Sequence, residues 1–283
     1  MAILPTNDIE TDMDNSIVYS KRDILSDLRG NLRIQKGDII GVHSSMKSLG
    51  KVDGGPTALI EALIEAVGAE KEGTVLMPCF NGPDDVVNLK ETECRLGLVP
   101  ETFRKYPGVI RSENHTHSVA VIGKYAHEIA EAHKGRAQLG ENSPFHELAK
   151  RGGYIIHIGC NMKSSSIIHV AESIAKMQYL KIAYPAYNKD ITLITMDGNS
   201  YKCQPIENPG CSYAFTKVEE ELFRTGLILK AKICNATSLK ALGMDVIETA
   251  VQMLKKDPTI LLCDSPNCPV CPTKKLLTKL KNA

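Results

Sequence analysis

The segment from Gly153 to Met177 constrains the fold most, because it contains a buried strand followed at once by a helix. Tyr154 to Ile158 is a short run of apolar and β-branched residues, which is typical of a strand covered on both faces. Gly159-Cys160-Asn161 interrupts the run, and the serines at 164–166 offer N-caps to a helix beginning at Ile167. The segment therefore predicts an α/β fold with a loop at the carboxyl end of a central strand.

His169 falls in the first turn of that predicted helix, at the edge of the sheet where open α/β folds bind ligands. Glu172 follows three residues later, so both side chains lie on one helix face and the carboxylate can orient the imidazole. The positive end of a helix disfavours imidazolium, which keeps an exposed histidine there able to accept a proton. The pair indicates a general base; the alternative is a histidine that only caps or packs the helix start.

A second strand, loop and helix occur earlier in the chain. Ile39 to His43 predicts a strand and Thr57 to Val67 a helix, with a loop between them that contains Ser44, Ser45, Gly54 and Gly55. Such a loop presents backbone amides and a helix N-terminus to an anion. No Gly-Lys-Ser/Thr follows the glycines, so the loop is not a Walker A motif, and an ordinary turn is the alternative.

The whole pattern predicts a three-layer αβα sandwich around a mixed, largely parallel central sheet. A small β-rich insertion is expected at about residues 180–215, with a hairpin around Asp197-Gly198-Asn199. Residues 236–256 have the pattern of one long helix broken near Gly243. We expect a flexible arm at 1–15, a single α/β domain at 16–264 and a Cys-containing tail at 265–283.

Composition restricts the class of partner. The 34 basic and 33 acidic residues give a net charge of +1, which argues against a nucleic-acid-binding surface or a polybasic membrane surface. The chain has no apolar stretch of transmembrane length, and its N-terminus lacks the basic-then-apolar order of a signal peptide. We therefore expect a cytoplasmic protein whose nine cysteines are mostly reduced.

Three of these cysteines, Cys263, Cys268 and Cys271, have the spacing C-x4-C-x2-C. Zinc is one interpretation of such a group, but three thiols without a fourth ligand nearby do not complete a structural site. A reduced tail without a bound metal is the preferred prediction.

Several motifs, taken in order, resemble the aminoglycoside 3-N-acetyltransferase family, the antibiotic N-acetyltransferases outside the GNAT fold. The resemblance covers about Lys21 to Asp264 and is carried by VHSSMKSLGKVDGGPTALIEAL, GTVLMPCF, RSENHTHSVAVIG, GENSPFHEL and IIHIGCNMKSSSIIHVAES. A later group, ENPGCSYAF and TGLILKAKICNA, is similar to family members whose substrates are not antibiotics or are uncertain.

The resemblance implies acetyl-CoA as co-substrate, a primary amine as acceptor, and a possible homodimer. His169, Glu172 and Glu207 are the implied catalytic residues. Residues implied in CoA binding are His43, Ser44, Ser45, Met46, Gly54, Gly55, Ser118 and Val119, and those implied in substrate binding are Phe80, Asn81, His117 and Glu207.

The acceptor most consistent with the resemblance is the 3-amino group of a 2-deoxystreptamine aminoglycoside. Residues 133–138 stand where many resistance enzymes carry a His-Pro-x-Asp-Tyr-Gly-type stretch, and they have a cation in place of the acid. Asn114 stands where many of these enzymes carry a histidine. The alternatives are therefore a family member that acetylates another amine and a CoA-binding member without catalysis. A further alternative is a thiol nucleophile, Cys211 or Cys160.

Overall fold

The computed structural model of the chain describes residues 17–82, 84–182, 189–204 and 206–282. The predicted arm at 1–15 lies outside them. Within these ranges, none of the helices combines the length and the apolar character that crossing a membrane requires.

Twelve strands and ten α-helices are assigned within the described residues. The strands are β1 (Val18–Tyr19), β2 (Ile39–Ser44), β3 (Lys51–Val52), β4 (Thr74–Pro78), β5 (Val86–Asn88), β6 (Ile110–Arg111), β7 (Val119–Gly123), β8 (Tyr154–Ile158), β9 (Ile191–Ile194), β10 (Ser200–Cys203), β11 (Ile228–Ile233) and β12 (Ala236–Leu242). The helices are α1 (Lys21–Gly30), α2 (Met46–Leu49), α3 (Gly55–Val67), α4 (Leu98–Phe103), α5 (Ala126–Glu131), α6 (Pro144–Lys150), α7 (Ile168–Ile174), α8 (Thr216–Thr225), α9 (Gly243–Lys256) and α10 (Cys271–Asn282). Short 3-10 helices span Met162–Ser164 and Gln178–Lys181.

The central sheet is mixed, as predicted, and has the strand order β11-β12-β8-β2-β4-β7-β6. Strands β8, β2 and β4 are parallel to one another, whereas β7 and β6 on one side and β12 and β11 on the other pair antiparallel. Only the three central strands pair in parallel. The sheet therefore contains fewer parallel strands than the largely parallel sheet that the sequence predicted. Part of the reason is that a two-residue turn joins β11 to β12, and so short a connection can only join antiparallel strands.

Alternate residues of the central strands enter two different cores, which confirms the three-layer arrangement. Ile40, Val75 and Ile156 pack with helices α1, α3 and α4 on one face of the sheet. Ile155 and Leu76 pack with helices α5 to α9 on the other face. Because both faces are covered, the central strands carry nearly continuous apolar runs.

The stretch 236–256 is not one long helix. Its first part is strand β12, which pairs with both β8 and β11, and helix α9 begins only at Gly243. The sequence ATSLKAL is weakly patterned, and its pairing with two neighbouring strands overrides the local preference. Sequence reasoning therefore missed the β11–β12 hairpin at this edge of the sheet.

The expected hairpin in the small insertion is confirmed, with β9 pairing antiparallel to β10. A third strand joins it from elsewhere in the chain, since β5 pairs parallel to β9. Residues 183–188 and 205 of the predicted insertion lie outside the described residues.

One buried side chain in the central strand β8 is unexpected. His157 is fully buried, and neither ring nitrogen has a hydrogen-bond partner among the described residues. Its ring stacks on that of His43 with centroids 5.1 Å apart. Burial, with a smaller contribution from His43, lowers the pKa of His157 well below its usual value.

Replacing His157 by leucine is expected to make the free energy of unfolding less sensitive to acid. The folded state keeps His157 neutral, whereas the unfolded chain takes up a proton as the pH falls below about 6.5. This group's contribution to stability is therefore present above that pH and is lost as the pH falls toward the folded-state pKa. Urea unfolding at pH 7.5 and pH 5.5 should show a smaller loss in His157→Leu than in the wild type.

The exposed His127 provides the matched control. His127→Leu should keep the pH dependence of the wild type. Equal pH dependence in His157→Leu and the wild type would contradict this account of the buried ring.

Candidate active site

A cavity of about 390 Å³ lies at the sheet edge where the parallel strands β2, β4 and β8 end. Strand β7 runs antiparallel to β4 and pairs Val119 with Pro78, so the turn before β7 reaches the same edge. The cavity is lined by Val42, His43, Ser44, Pro78, Phe80, Leu96, Pro100, His117, Leu139, Lys163, Ser164, Ser165, Ser166, His169 and Ser212. This cavity lies beyond the carboxyl ends of the central strands, and the prediction that the site lies at this edge stays a prediction.

Hydrogen bonds join the loop after β2 to the end of β8. The backbone N–H of Ser45 donates to the carbonyl of Ile158 at 2.8 Å, and the hydroxyl of Ser48 donates to the carbonyl of Gly159 at 3.0 Å. Gly159 has a φ of +68°, and a Cβ atom there would lie 2.4 Å from the Cβ of Ser48. Only glycine fits this close approach, which fixes the two loops side by side.

His169 and Glu172 form the central contact of the site. His169 Nδ1 lies 2.6 Å from Glu172 Oε2, and the hydroxyl of Tyr179 donates to Glu172 Oε1 at 2.7 Å. Glu172 is completely buried, so both of its oxygens are satisfied inside the protein. With Nδ1 engaged by the carboxylate, the other ring nitrogen of His169 is left for the cavity.

The local setting of His169 differs from the predicted one in two ways. Helix α7 begins at Ile168, and its N-cap residue, Ile167, provides no side-chain cap. The predicted serine caps are therefore wrong, because Ser164 ends a 3-10 helix and the serines at 164–166 line the cavity instead. His169 is also buried rather than exposed, with its ring edge-on to Phe215 at 4.8 Å.

His117 is a second histidine of the cavity. Its ring packs edge-on against Phe80 with centroids 4.4 Å apart, and its Nδ1 lies 2.8 Å from the hydroxyl of Thr116. Burial, together with the charge of His169 and other nearby histidines, lowers the pKa of His117 to about 3. His117 is therefore neutral at physiological pH, and with Phe80 it lies where the sequence placed substrate-binding residues.

His43 also lines the cavity, beside Ser44. Its Nε2 accepts a hydrogen bond from the backbone N–H of Ser166 at 3.4 Å. Burial lowers the pKa of His43 to about 4, so the ring acts as a neutral acceptor. It thereby holds the serine loop that follows β8.

Glu207 lies near the buried carboxylate but is not among the cavity-lining residues. Its Oε1 accepts a hydrogen bond from the hydroxyl of Ser173 at 2.9 Å. Burial raises the pKa of Glu207, and the charges of Glu172 and Glu141 add to that shift.

Four residues implied in CoA binding lie outside the cavity lining. Ser45 is the N-cap of the short helix α2, which Met46 begins. Gly54 and Gly55 begin the longer helix α3, with φ values of +74° and +54°. Their backbone therefore opens a helix N-terminus, as the sequence pattern indicated.

Three further predicted residues are buried in the protein interior. The hydroxyl of Ser118 donates to the carbonyl of Cys79 at 2.6 Å and accepts from Arg111 Nε at 2.9 Å, and Val119 is fully buried in the sheet. The amide of Asn81 donates to the carbonyl of His115 at 2.8 Å. None of the three side chains faces the cavity, so contacts from them to a ligand have no support in this geometry.

Sequence reasoning missed Lys163, Ser165 and Ser212 as cavity residues. The hydroxyl of Ser165 is buried and has no hydrogen-bond partner among the described residues. The run KSSS after β8 is a signal for the first two, although serines before a helix also favour helix capping. No pattern in the sequence around Ser212 indicates that this residue lines the cavity.

The two cysteines considered as nucleophiles do not line this cavity. Cys160 lies in a separate surface depression beside Ser48 and Asn161, and the Cys211 thiol contacts that of Cys271 at 3.2 Å. The residues that line the cavity include His169 with its carboxylate partner and neither of these two cysteines.

Comparison with known proteins identifies relatives of this chain. The family model described as aminoglycoside 3-N-acetyltransferase matches residues 42–255. The chain is similar to aminoglycoside N(3)-acetyltransferase IV of Salmonella sp, with 29% identity over 82% of this chain and 86% of that protein. It is 33% identical to the aminoglycoside N(3')-acetyltransferase-like protein YokD of Bacillus subtilis (strain 168), over 58% of this chain and 67% of that protein.

Solved structures give the same result. The apoenzyme of aminoglycoside acetyltransferase AAC(3)-IVa superposes with a TM-score of 0.80 at 26% identity, over 93% of this chain and 99% of that one. The structure of Bacillus subtilis YokD gives a TM-score of 0.76 at 26% identity, over 86% of this chain and 96% of that one. Since the matched region spans well over half of the sequence, the chain belongs to the aminoglycoside 3-N-acetyltransferase family of acyltransferases.

Proposed function

We propose that this protein transfers the acetyl group of acetyl-CoA to an amino group of an aminoglycoside, with His169 as general base. The observation that carries the proposal is the 2.6 Å contact between His169 Nδ1 and the buried Glu172, at the edge of the cavity. Related structures include an AAC(3)-IVa mutant in complex with a gentamicin and an AAC-IIIb binary complex with CoASH. Acetyl-CoA is the co-substrate that membership of this family implies.

Glu172 fixes which nitrogen of His169 carries the proton. A carboxylate at Nδ1 holds that proton and leaves Nε2 as the acceptor, and it also stabilises the imidazolium that forms during the reaction. Tyr179 orients the carboxylate from its other oxygen. His117 cannot compete for this role, because its pKa of about 3 makes it a weak base.

The proposed step is direct transfer. The substrate amine gives a proton to His169 Nε2 as its nitrogen forms a bond with the thioester carbonyl carbon. The tetrahedral intermediate collapses, the carbon–sulfur bond breaks, and the CoA thiolate leaves with the electron pair. The proton held by His169 then neutralises the thiolate, so the base returns to its starting state.

Ser165 is the group that we assign to the thioester oxygen. Ser165 is a cavity-lining residue, and its hydroxyl is buried with no partner among the described residues, so this hydroxyl is the donor that we assign to the negative charge that develops there. A donor already desolvated and held in place needs little reorganisation when that charge appears.

Acetyl-CoA fits the remaining chemistry of the cavity. Apolar side chains, among them Phe80 and Leu96, suit the pantetheine arm, and Lys163 supplies a cation. The loop from Ser44 to Gly55, which ends at the N-terminus of α3, provides backbone N–H groups for phosphate. The roles implied for this loop stay predictions.

The acceptor is assigned as an aminoglycoside because the matching family model and the related enzymes are named for that substrate. The alternative is a different amine, and one observation favours it. The described residues that line the cavity include Lys163 but no carboxylate. A substrate with fewer charges would therefore suit the cavity itself.

Release of free thiol from acetyl-CoA, measured with gentamicin, sisomicin and a panel of simple primary amines, distinguishes these functions. Turnover with the aminoglycosides, and a product whose acetyl group is located on the 3-amino nitrogen by NMR, would establish the proposal. Turnover with simple amines alone would assign another acceptor. No turnover with any amine would leave the non-catalytic, CoA-binding alternative.

Intact-mass measurement tests the thiol alternative. Direct transfer predicts no acetylated enzyme after treatment with acetyl-CoA alone. A covalent acetyl group on Cys160 or Cys211 would replace direct transfer with a two-step mechanism.

We expect His169→Asn to lower kcat by roughly two to four orders of magnitude, the usual effect of losing a general base. Asparagine can still donate to Glu172, so the buried carboxylate keeps a partner. Steady-state kinetics, with CoA affinity measured by calorimetry, provides the test.

His169→Ala serves as the comparison, because it removes the base and also leaves Glu172 with one partner fewer. It should lose both activity and thermal stability, whereas His169→Asn should lose mainly activity. A stable His169→Asn enzyme with the wild-type rate would end the base assignment.

Ser165→Ala is expected to lower kcat by roughly 100-fold or more with little change in the KM for acetyl-CoA, as for other oxyanion donors. The neighbouring Ser164 is the matched control, since its hydroxyl donates to the carbonyl of Asn161 at 3.2 Å. Ser164→Ala should keep nearly the full rate. Equal effects of the two substitutions would remove Ser165 from the mechanism.

A further inference from the structure

The three cysteines of the C-terminal segment acquire a fourth neighbour in the folded chain. Cys211, which lies 52 residues or more before the others in sequence, precedes helix α8. The sulfur atoms of Cys211, Cys263, Cys268 and Cys271 all lie within 4.8 Å of one another. The expectation that no fourth ligand is available was therefore wrong.

The separations among these atoms suit a tetrahedral metal centre. Four thiolates at about 2.3 Å from a zinc ion lie about 3.8 Å from one another. The sulfur atoms of Cys211 and Cys271 lie 3.2 Å apart, and none of the separations exceeds 4.8 Å. The range of sulfur–sulfur distances therefore includes the distance of about 3.8 Å expected around zinc. A disulfide would need about 2.05 Å, and all four cysteines are free thiols.

The local backbone also has the features of a metal-binding turn. Cys268 and Cys271 form a C-x2-C pair, and the backbone N–H of Cys271 donates to the sulfur of Cys268 at 3.5 Å. The backbone N–H of Cys268 donates in turn to the carbonyl of Ser265 at 3.2 Å. An N–H group directed at sulfur stabilises thiolate charge, which a metal ligand carries.

A buried cation accompanies the four thiols. Lys274 lies one turn after Cys271 in helix α10 and is completely shielded from solvent. Its ammonium donates to the carbonyl of Asn208 and lies 5.3 Å from the ring centroid of Tyr179. A zinc ion with four thiolates carries a net charge of −2, so a buried ammonium next to it compensates part of that charge.

We propose that Cys211, Cys263, Cys268 and Cys271 bind one structural Zn²⁺ ion. All four ligand positions are filled by protein thiolates, so the ion has no open position for substrate and does not take part in the transfer. Its role is to join the loop before α8 to the start of helix α10.

This junction contacts residues that adjoin the proposed catalytic pair. The loop that carries Cys211 also carries Ser212 of the cavity, while Tyr179 packs in the same apolar cluster as Cys263 and Cys271. Zinc binding therefore fixes the surroundings of the residue that orients Glu172. It also occupies the thiol of Cys211, which removes that residue as a nucleophile.

Metal analysis of the full chain, purified without chelators under reducing conditions, tests the proposal. We expect one zinc per chain by inductively coupled plasma mass spectrometry, loss of that zinc in Cys268→Ser, and retention in Cys234→Ser. Cys234 is a partly exposed thiol in the turn between β11 and β12 and serves as the matched control. Equal zinc in Cys268→Ser and the wild type, or iron in place of zinc, would overturn the assignment.

A second measurement avoids the risk that Cys268→Ser fails to fold. The wild-type chain reconstituted with Co²⁺ should show the visible absorption of a tetrahedral centre with four thiolates, and zinc should displace it. Alkylation followed by peptide mapping should find four of the nine cysteines protected by zinc and exposed by a chelator. A wild-type chain that binds neither ion, or a disulfide between Cys211 and Cys271, would exclude the site.

Discussion

The position of the candidate base depends on the burial of one carboxylate. Glu172 has no exposure to solvent, and an isolated charge in that position would cost several kcal/mol. His169 and Tyr179 satisfy its two oxygens, and the charge of the buried Lys274 acts on the same region. These groups come from α7, the following 3-10 helix and α10, so the position of the candidate base depends on three elements together.

The sheet explains why the other residues of the cavity meet there. Parallel pairing of β8, β2 and β4 places three carboxyl ends at one edge, and the antiparallel β7 begins at that same edge. Each strand therefore contributes residues at its end or in the adjoining loop: the serines after β8, His43 near the end of β2, Phe80 after β4 and His117 before β7. The outer hairpin β11–β12 extends the sheet beyond β8 without lining the cavity.

Prediction from sequence succeeded where a pattern is local and strong. The apolar run of β8 and the spacing of His169 and Glu172 are both confirmed as structure, since each depends on residues within a few positions of one another. Prediction failed where strand pairing determines the local conformation. The residues of β12 are weakly patterned, and they form a strand because they pair with β8 on one side and β11 on the other. The hydroxyl of Ser118 is directed to the interior carbonyl of Cys79, and the role implied for Ser118 in CoA binding stays a prediction.

The sequence by itself determined that His169 and Glu172 share one helix face, because the α-helical repeat brings residues three apart together. It also determined the nearly continuous apolar runs of the central strands, which are buried on both faces of the sheet. Only the tertiary structure brought Tyr179 to Glu172, His117 to the cavity and Cys211 to the three later cysteines. These contacts join segments whose relative position depends on strand order and helix packing. The strand order and the helix packing depend on the free energy of the whole fold, which the spacing of neighbouring residues does not determine.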